Sequence, residues 1–322
     1  KLSAKKKRAI IIIRLRRKFY RGYMKIRLLA HDSKIPNYAI MKISTYHKRL
    51  GDDVDWYSHL FDYADTDILY ISKVFTFSPE PQYLPINAKI IKGGSGYDLV
   101  TKLPDEIESI TELDYSLYPD CDYSIIFTTR GCFRKCPFCV VPIKEGKIHR
   151  VQTTQLNPKG KWIMVLDNNF LGEVNWKERL NYLKLLNQPI SFTQGIDLRI
   201  LTKEQCQALS TLQIKQIYCA WDNYKDKDII LLKLKMLCQY VKPYKITCYV
   251  LVGFENKEIT DQDLERVMTL KELGVNPFAM GYVDFNNPKH KKTRSVKDFC
   301  RWVNMKATFK SVSWKDYKKV NK

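Results

Sequence analysis

The chain has 322 residues with 45% hydrophobic content, enough for a packed core in one large or two medium domains. Its longest apolar stretch near the start, Ala9–Ile13, is far short of the roughly 18 residues a membrane span requires, so no span is expected. The net charge of +21 suggests a polyanion partner until it is divided along the chain. Residues 1–23 hold ten Lys/Arg and no acid, and residues 286–322 hold twelve against two acids. The body is nearly neutral, with 33 basic and 32 acidic residues. Nucleic acid is therefore a partner to consider only through the basic ends. Nine cysteines without disulfide-framework spacing point to a reducing cytoplasm.

In chain order, residues 1–23 read as a basic N-terminal arm, appended or translated upstream of Met24, with weak amphipathic character. From Met24 the pattern alternates strand and helix, which predicts a parallel α/β sheet over residues 24–102. A strand at Ile26–Ala30 leads to a helix at Tyr38–Leu50, closed by Gly51. Further strands fall at 54–57, 68–72 and 89–91, the last running into Gly93-Gly94-Ser95-Gly96. Glycines at a strand's carboxyl end allow a ligand to approach the backbone, and they equally make a plain tight turn, so Gly93 and Gly94 are candidates only. Residues 103–122, with two prolines and several acids, read as a linker.

A strand at Tyr123–Phe127 then delivers Cys132-Phe133-Arg134-Lys135-Cys136-Pro137-Phe138-Cys139, a C-x3-C-x2-C loop. Three thiols at this spacing can meet one metal centre, and a fourth ligand is missing. A structural zinc site wants four ligands, which Cys121 or His149 could complete. Scattered core cysteines and a Cys136/Cys139 redox pair are two further readings. A cluster held by Cys132, Cys136 and Cys139 leaves one iron open, and an open position implies chemistry. Strands at 162–166, 190–193, 214–220, 245–251 and 277–283 follow, each ending in polar residues or glycine. Among these ends are Asp167, Asn168 and Asn169, then Gln194 and Asp197, where a ribose or carboxylate could sit, and Asp222. Residues 286–322 form a basic C-terminal helical extension, with Phe299 and Trp302 packing inward and Lys297 and Arg301 exposed.

The cysteine loop, with Phe138 before its last thiol, resembles the signature of the radical S-adenosylmethionine superfamily. Its flanks, Thr128-Thr129-Arg130-Gly131 and Val140-Val141-Pro142-x-x-Glu145-Gly146, are similar to the branches with a cobalamin-binding domain and to the methylthiotransferases. No second cysteine cluster argues against the latter. The resemblance implies a Rossmann-like, cobalamin-binding-like domain at 24–102, a partial (β/α)6 barrel at 123–285 and a short helical end. It implies a 4Fe–4S cluster on the three cysteines and S-adenosylmethionine on the open iron, supplied with electrons by a flavodoxin or ferredoxin. Asp167-Asn168-Asn169-Phe170 resembles the family's element beside the methionine amino group, and Val252-Gly253-Phe254-Glu255 its element beside adenine. Cobalamin, and with it a methyl-transferase outcome, stands beside the reading that the first domain only shapes the substrate site, because an Asp-x-His-x-x-Gly motif is absent. A zinc-stabilised nucleic-acid-binding protein and a catalytically silent cluster-binding relative are the alternatives. No motif names a substrate or a catalytic side chain.

Overall fold

The structure is a computed structural model and describes residues 23–287 and 290–320. The expected arm at 1–23 lies, but for Tyr23, outside the described residues. The chain divides into two compact units, one running to Asp122 and including Gln152–Lys159, the other holding Tyr123–Val151 and everything from Gly160.

In the first unit, β1 (Lys25–Ala30), α1 (Tyr38–Leu50), β2 (Asp53–Trp56), β3 (Ile68–Ser72) and β4 (Lys89–Gly93) form a parallel sheet in the order β2-β1-β3-β4. The apolar β1 residues Ile26 and Leu28 are fully buried against Ile40 and Ile43 of α1. Asn37 caps α1 by accepting the Ile40 N–H at 3.1 Å, and Gly51 ends it in the left-handed region at φ +87°. Only this one helix spans a crossover; β2 to β3 and β3 to β4 are joined by loops.

Two expectations change here. Residues 103–122 are not a linker. Helix α2 (Asp105–Glu108) and the turns after it bury Ile107, Ile110, Leu113 and Leu117, and Ile107 and Leu117 join the β1–α1 core. Apolar residues spaced to reach one face outweigh the prolines and acids between them. Gly94 is explained by its own chain. At φ +95° an added Cβ would stand 2.4 Å from the Lys73 carbonyl oxygen, whereas a Cβ at Gly93 meets nothing within 4 Å. Gly94→Ala is expected to cost about 2 kcal/mol and Gly93→Ala less than about 0.5 kcal/mol in urea denaturation. Equal costs would show that the backbone approach of Lys73 is not what selects the glycine.

The second unit begins with β5 (Tyr123–Ile126), the hairpin strands β6 (Thr129–Arg130) and β7 (His149–Arg150), and between them the short α3 (Val141–Lys144). Strand–helix repeats follow: β8 (Trp162–Val165), α4 (Trp176–Leu185), β9 (Ile190–Ile196), α5 (Lys203–Ser210), β10 (Ile214–Ala220), α6 (Lys227–Cys238), β11 (Ile246–Val252), α7 (Asp261–Glu272) and β12 (Asn276–Gly281). The sheet is six-stranded and parallel, in the order β5-β8-β9-β10-β11-β12. Each new strand adds to the same edge. Right-handed crossovers that always step the same way place their helices on one face and leave the other to line an interior. Capping boxes set the starts of α5 and α7, through Thr202 with Gln205 and Thr260 with Asp263.

Helices α8 (Arg294–Asn304), α9 (Lys306–Ser311) and α10 (Trp314–Val320) complete the unit. Asn304 pairs with the backbone of Ala279 on β12, accepting its N–H at 2.8 Å and donating to its carbonyl at 3.0 Å. Phe299, Trp302, Phe309, Trp314 and Tyr317 are buried together, with ring centroids 4.8–6.0 Å apart. Among the described residues no helix is long and apolar enough to cross a membrane.

Candidate active site

All carboxyl ends of a parallel sheet lie along one edge, and in the second unit the cysteine loop leaves the first of them. The flanking residues hold that loop in place. Thr128 and Thr129 give four hydrogen bonds to the buried Asp167 carboxylate, two from backbone N–H groups at 2.7 and 2.8 Å and two from hydroxyls at 2.6 and 2.7 Å. Burial pushes the Asp167 carboxyl up, against the pull of these donors. The neighbouring Asn168 accepts the Gly131 N–H at 2.9 Å. Gly131 has φ +84°, and a Cβ there would stand 2.4 Å from the Lys147 carbonyl oxygen, so the β6–β7 hairpin closes only over glycine. Arg130 pairs with Glu145 at 3.0 Å and lies over the Phe127 ring at 4.7 Å. From the third strand end, Asp197 binds Arg134 inside the loop and Arg199 Nε at 2.9 Å.

The assignment of Asp167 to the cofactor's amino group is therefore corrected. Its carboxylate is only 2% exposed and both oxygens are occupied by the backbone and hydroxyls that carry the loop. Asn168 likewise braces the loop, through the hydrogen bond from Gly131. Asn169 differs: its Nδ2 lies 3.5 Å from the Cys132 sulfur, and its buried Oδ1 has no partner among the described residues. Gln194 is exposed and lies apart from the cavity described below, and Asp197 is committed to two arginines.

Cys132, Cys136 and Cys139 are all free and half-buried. The Arg134 N–H points at the Cys132 sulfur at 3.4 Å. Burial pushes the Cys139 thiol up, the Val141 N–H opposes this, and Cys136 and Cys132 raise it further. Among the described residues no three His, Cys, Asp or Glu side chains converge tightly enough for a single metal ion. His149, one of the two residues considered as a fourth zinc ligand, is exposed with Nδ1 2.9 Å from the Lys147 carbonyl oxygen. N–H groups are aimed at two of the three thiols, from Arg134 to Cys132 and from Val141 to Cys139, and such donors tune sulfur ligands where a cluster is held.

Beside Cys136 lies a cavity of about 170 Å³. Phe138, Phe254 and Gly253 form its apolar wall, with the Phe138 and Phe254 rings edge to face at 5.4 Å. Asp222, Asp226, Glu255 and Asp263 bring negative charge to it, and Arg199 and Arg266 positive charge. Thus of the candidate residues the cavity gathers Cys136, Phe138, Asp222 and Gly253, and leaves out the others. Arg266 was not among them. Only 4% exposed, it donates to the carbonyls of Trp221 (2.7 Å), Asp222 (2.9 Å) and Leu251 (2.9 Å) and pairs with Asp263, so it ties two strand ends to α7. Its signal is an arginine within the inward stripe Asp263, Arg266, Val267, Leu270.

Burial raises the Asp222 carboxyl to about 6, against the opposing pull of Arg266, Arg199 and the Leu251 N–H. Because the folded pKa lies above the unfolded one, the folded state binds more protons between about pH 4 and 6, and stability falls as pH rises through that window. Asp222→Asn removes the cost. At pH 7 the variant is expected to be about 1–2 kcal/mol more stable, a range allowing for the residue's partial access to solvent, with the difference vanishing near pH 4. Thermal melts across pH 4–8 measure this; a pH-independent difference would remove the titration from Asp222.

No protein-family model and no curated protein matches the sequence. The fold is similar to that of a radical S-adenosylmethionine methyltransferase whose structure has been solved. That structure is TsrM from Kitasatospora setae, with cobalamin and a [4Fe–4S] cluster bound. The alignment has a TM-score of 0.56 at 11% identity and covers 80% of this chain and 75% of TsrM.

Proposed function

We propose that the chain is a radical S-adenosylmethionine enzyme in which Cys132, Cys136 and Cys139 hold a 4Fe–4S cluster. The observation that carries this reading is the set of three half-buried thiols on one loop, at the carboxyl edge of a six-stranded parallel sheet, with that loop braced by residues from the next two strand ends. With S-adenosylmethionine on its open iron, such a cluster supplies one-electron cleavage of that molecule to a 5′-deoxyadenosyl radical. The protein's residues orient and shield. Phe138 and Phe254 offer ring edges to a heterocycle, Asp222 and Glu255 accept from hydroxyl groups, and the unpartnered Asn169 Oδ1 is an acceptor beside the loop. A flavodoxin- or ferredoxin-type donor would supply the electron.

The fold-level likeness makes methyl transfer the first reaction to assay. Cobalamin has less support from this chain's own residues. The freedom of Gly94 is used by Lys73, and Asp32, at the carboxyl edge of the first unit's sheet, accepts the N–H groups of Val74 at 2.7 Å and Phe75 at 2.9 Å. No step is therefore assigned to cobalamin. Anaerobic reconstitution with iron and sulfide, followed by reduction with S-adenosylmethionine present, tests the proposal. Formation of 5′-deoxyadenosine is expected; a colourless protein with stoichiometric zinc and no such product would overturn it.

A further inference from the structure

The three C-terminal helices bury their aromatic residues and turn their charge outward. Residues 290–318 contain nine Lys/Arg and two acids. Both acids are already engaged: Asp298 with Arg294 Nε at 3.6 Å, and Asp316 with the Ser313 hydroxyl at 2.6 Å. Lys297, Arg301, Lys306, Lys310, Lys315 and Lys318 are exposed, and none has an acidic partner among the described residues.

Their spacing is informative. Lys297/Arg301 and Lys306/Lys310 stand four apart within α8 and α9, and Lys315/Lys318 three apart within α10. Each pair shares a helix face, where like charges repel. We propose that the exposed basic side of these three helices is a docking surface for the phosphate backbone of a structured nucleic acid. A polyanion turns the three repulsive pairs into phosphate contacts and gains the release of its own counterions.

The same face argues against other polyanions. A membrane-surface helix presents Trp, Phe or Leu on the side away from its charges. Here Phe299, Trp302, Phe309, Trp314 and Tyr317 are all spent on the internal cluster, and Met305 is the large apolar residue left exposed on these helices. A single-strand binder needs open aromatic platforms for bases to stack on, which the burial of these rings also removes. Recognition should then follow the regular phosphate lattice of a duplex or folded RNA, independent of sequence. The proposal stands or falls without the cluster.

The test uses the full chain and an RNA duplex of about 20 base pairs, titrated from about 50 to 200 mM salt. Six phosphate contacts would give a slope of log K against log salt near −5. Lys306→Gln/Lys310→Gln/Lys315→Gln should reduce that slope by about 2–3 units and weaken binding at least about 10-fold, whereas the triple Lys→Arg chain should bind as the wild type does. The Arg variant separates charge from packing, because both triple variants alter the same exposed positions. An equal loss on neutralising Lys5, Lys6 and Lys7, with none on neutralising the helices, would overturn the proposal. So would binding to vesicles containing phosphatidylserine without binding to the duplex, or tighter binding to an unstructured single strand than to the duplex.

Discussion

Cys136→Ala is expected to lose cluster iron and more than about 100-fold of the S-adenosylmethionine cleavage rate, beyond the loss typical of changing an outer-shell partner. Cys136 is the thiol that both belongs to the loop and lines the cavity, so its sulfur borders the space where a cofactor would sit. Cys300→Ala serves as the control: that thiol is half-buried too, but it lies on α8 away from the loop. Iron per chain and 5′-deoxyadenosine per minute, measured after anaerobic reconstitution, give the two readings. If the alanine chain cleaves at the wild-type rate, Cys136 has no place in the cluster.

The second large effect belongs to a residue that touches no ligand. Asp167→Ala strands two N–H groups and two hydroxyls in a buried position, each costing about 1–3 kcal/mol if it finds no other partner. A stability loss of at least about 3 kcal/mol is expected, together with impaired iron uptake, because Thr128 and Thr129 carry the chain into the cysteine loop. Denaturant titration of the apo-protein isolates the first part. A loss below about 1 kcal/mol would show that Asp167 does not hold the loop.

The two kinds of result divide what the sequence could tell. The cysteine loop was legible because its three thiols sit within eight residues, and the strands because β-branched runs alternate with helical stretches. Helix α1 was legible to the residue, since its stop, Gly51, needs the left-handed region. Asp167 was legible as a polar strand end but not in its role. Its partners are 38 and 39 residues away, and nothing local says whether a carboxylate faces solvent or another strand's backbone. Arg266 was hidden for the same reason, since its carbonyl partners come from two other strand ends. The segment 103–122 misled through composition. Prolines and acids mark exposed chain on average, yet Ile107, Ile110, Leu113 and Leu117 recur every three or four residues and outweigh that average.

The excursion of Gln152–Lys159 into the first unit bears on how the cysteine loop is held. Within that unit Gln155 N–H donates to the Thr111 carbonyl at 2.7 Å, and Asn157 donates to the Cys121 carbonyl at 2.8 Å. The chain thus leaves the first unit after Asp122 and re-enters it at Gln152, so the stretch bearing all three thiols is a closed loop of about 30 residues, anchored at both ends. A chain cut to begin at Tyr123 would keep the thiols and lose that closure, leaving 152–159 without the backbone it pairs with.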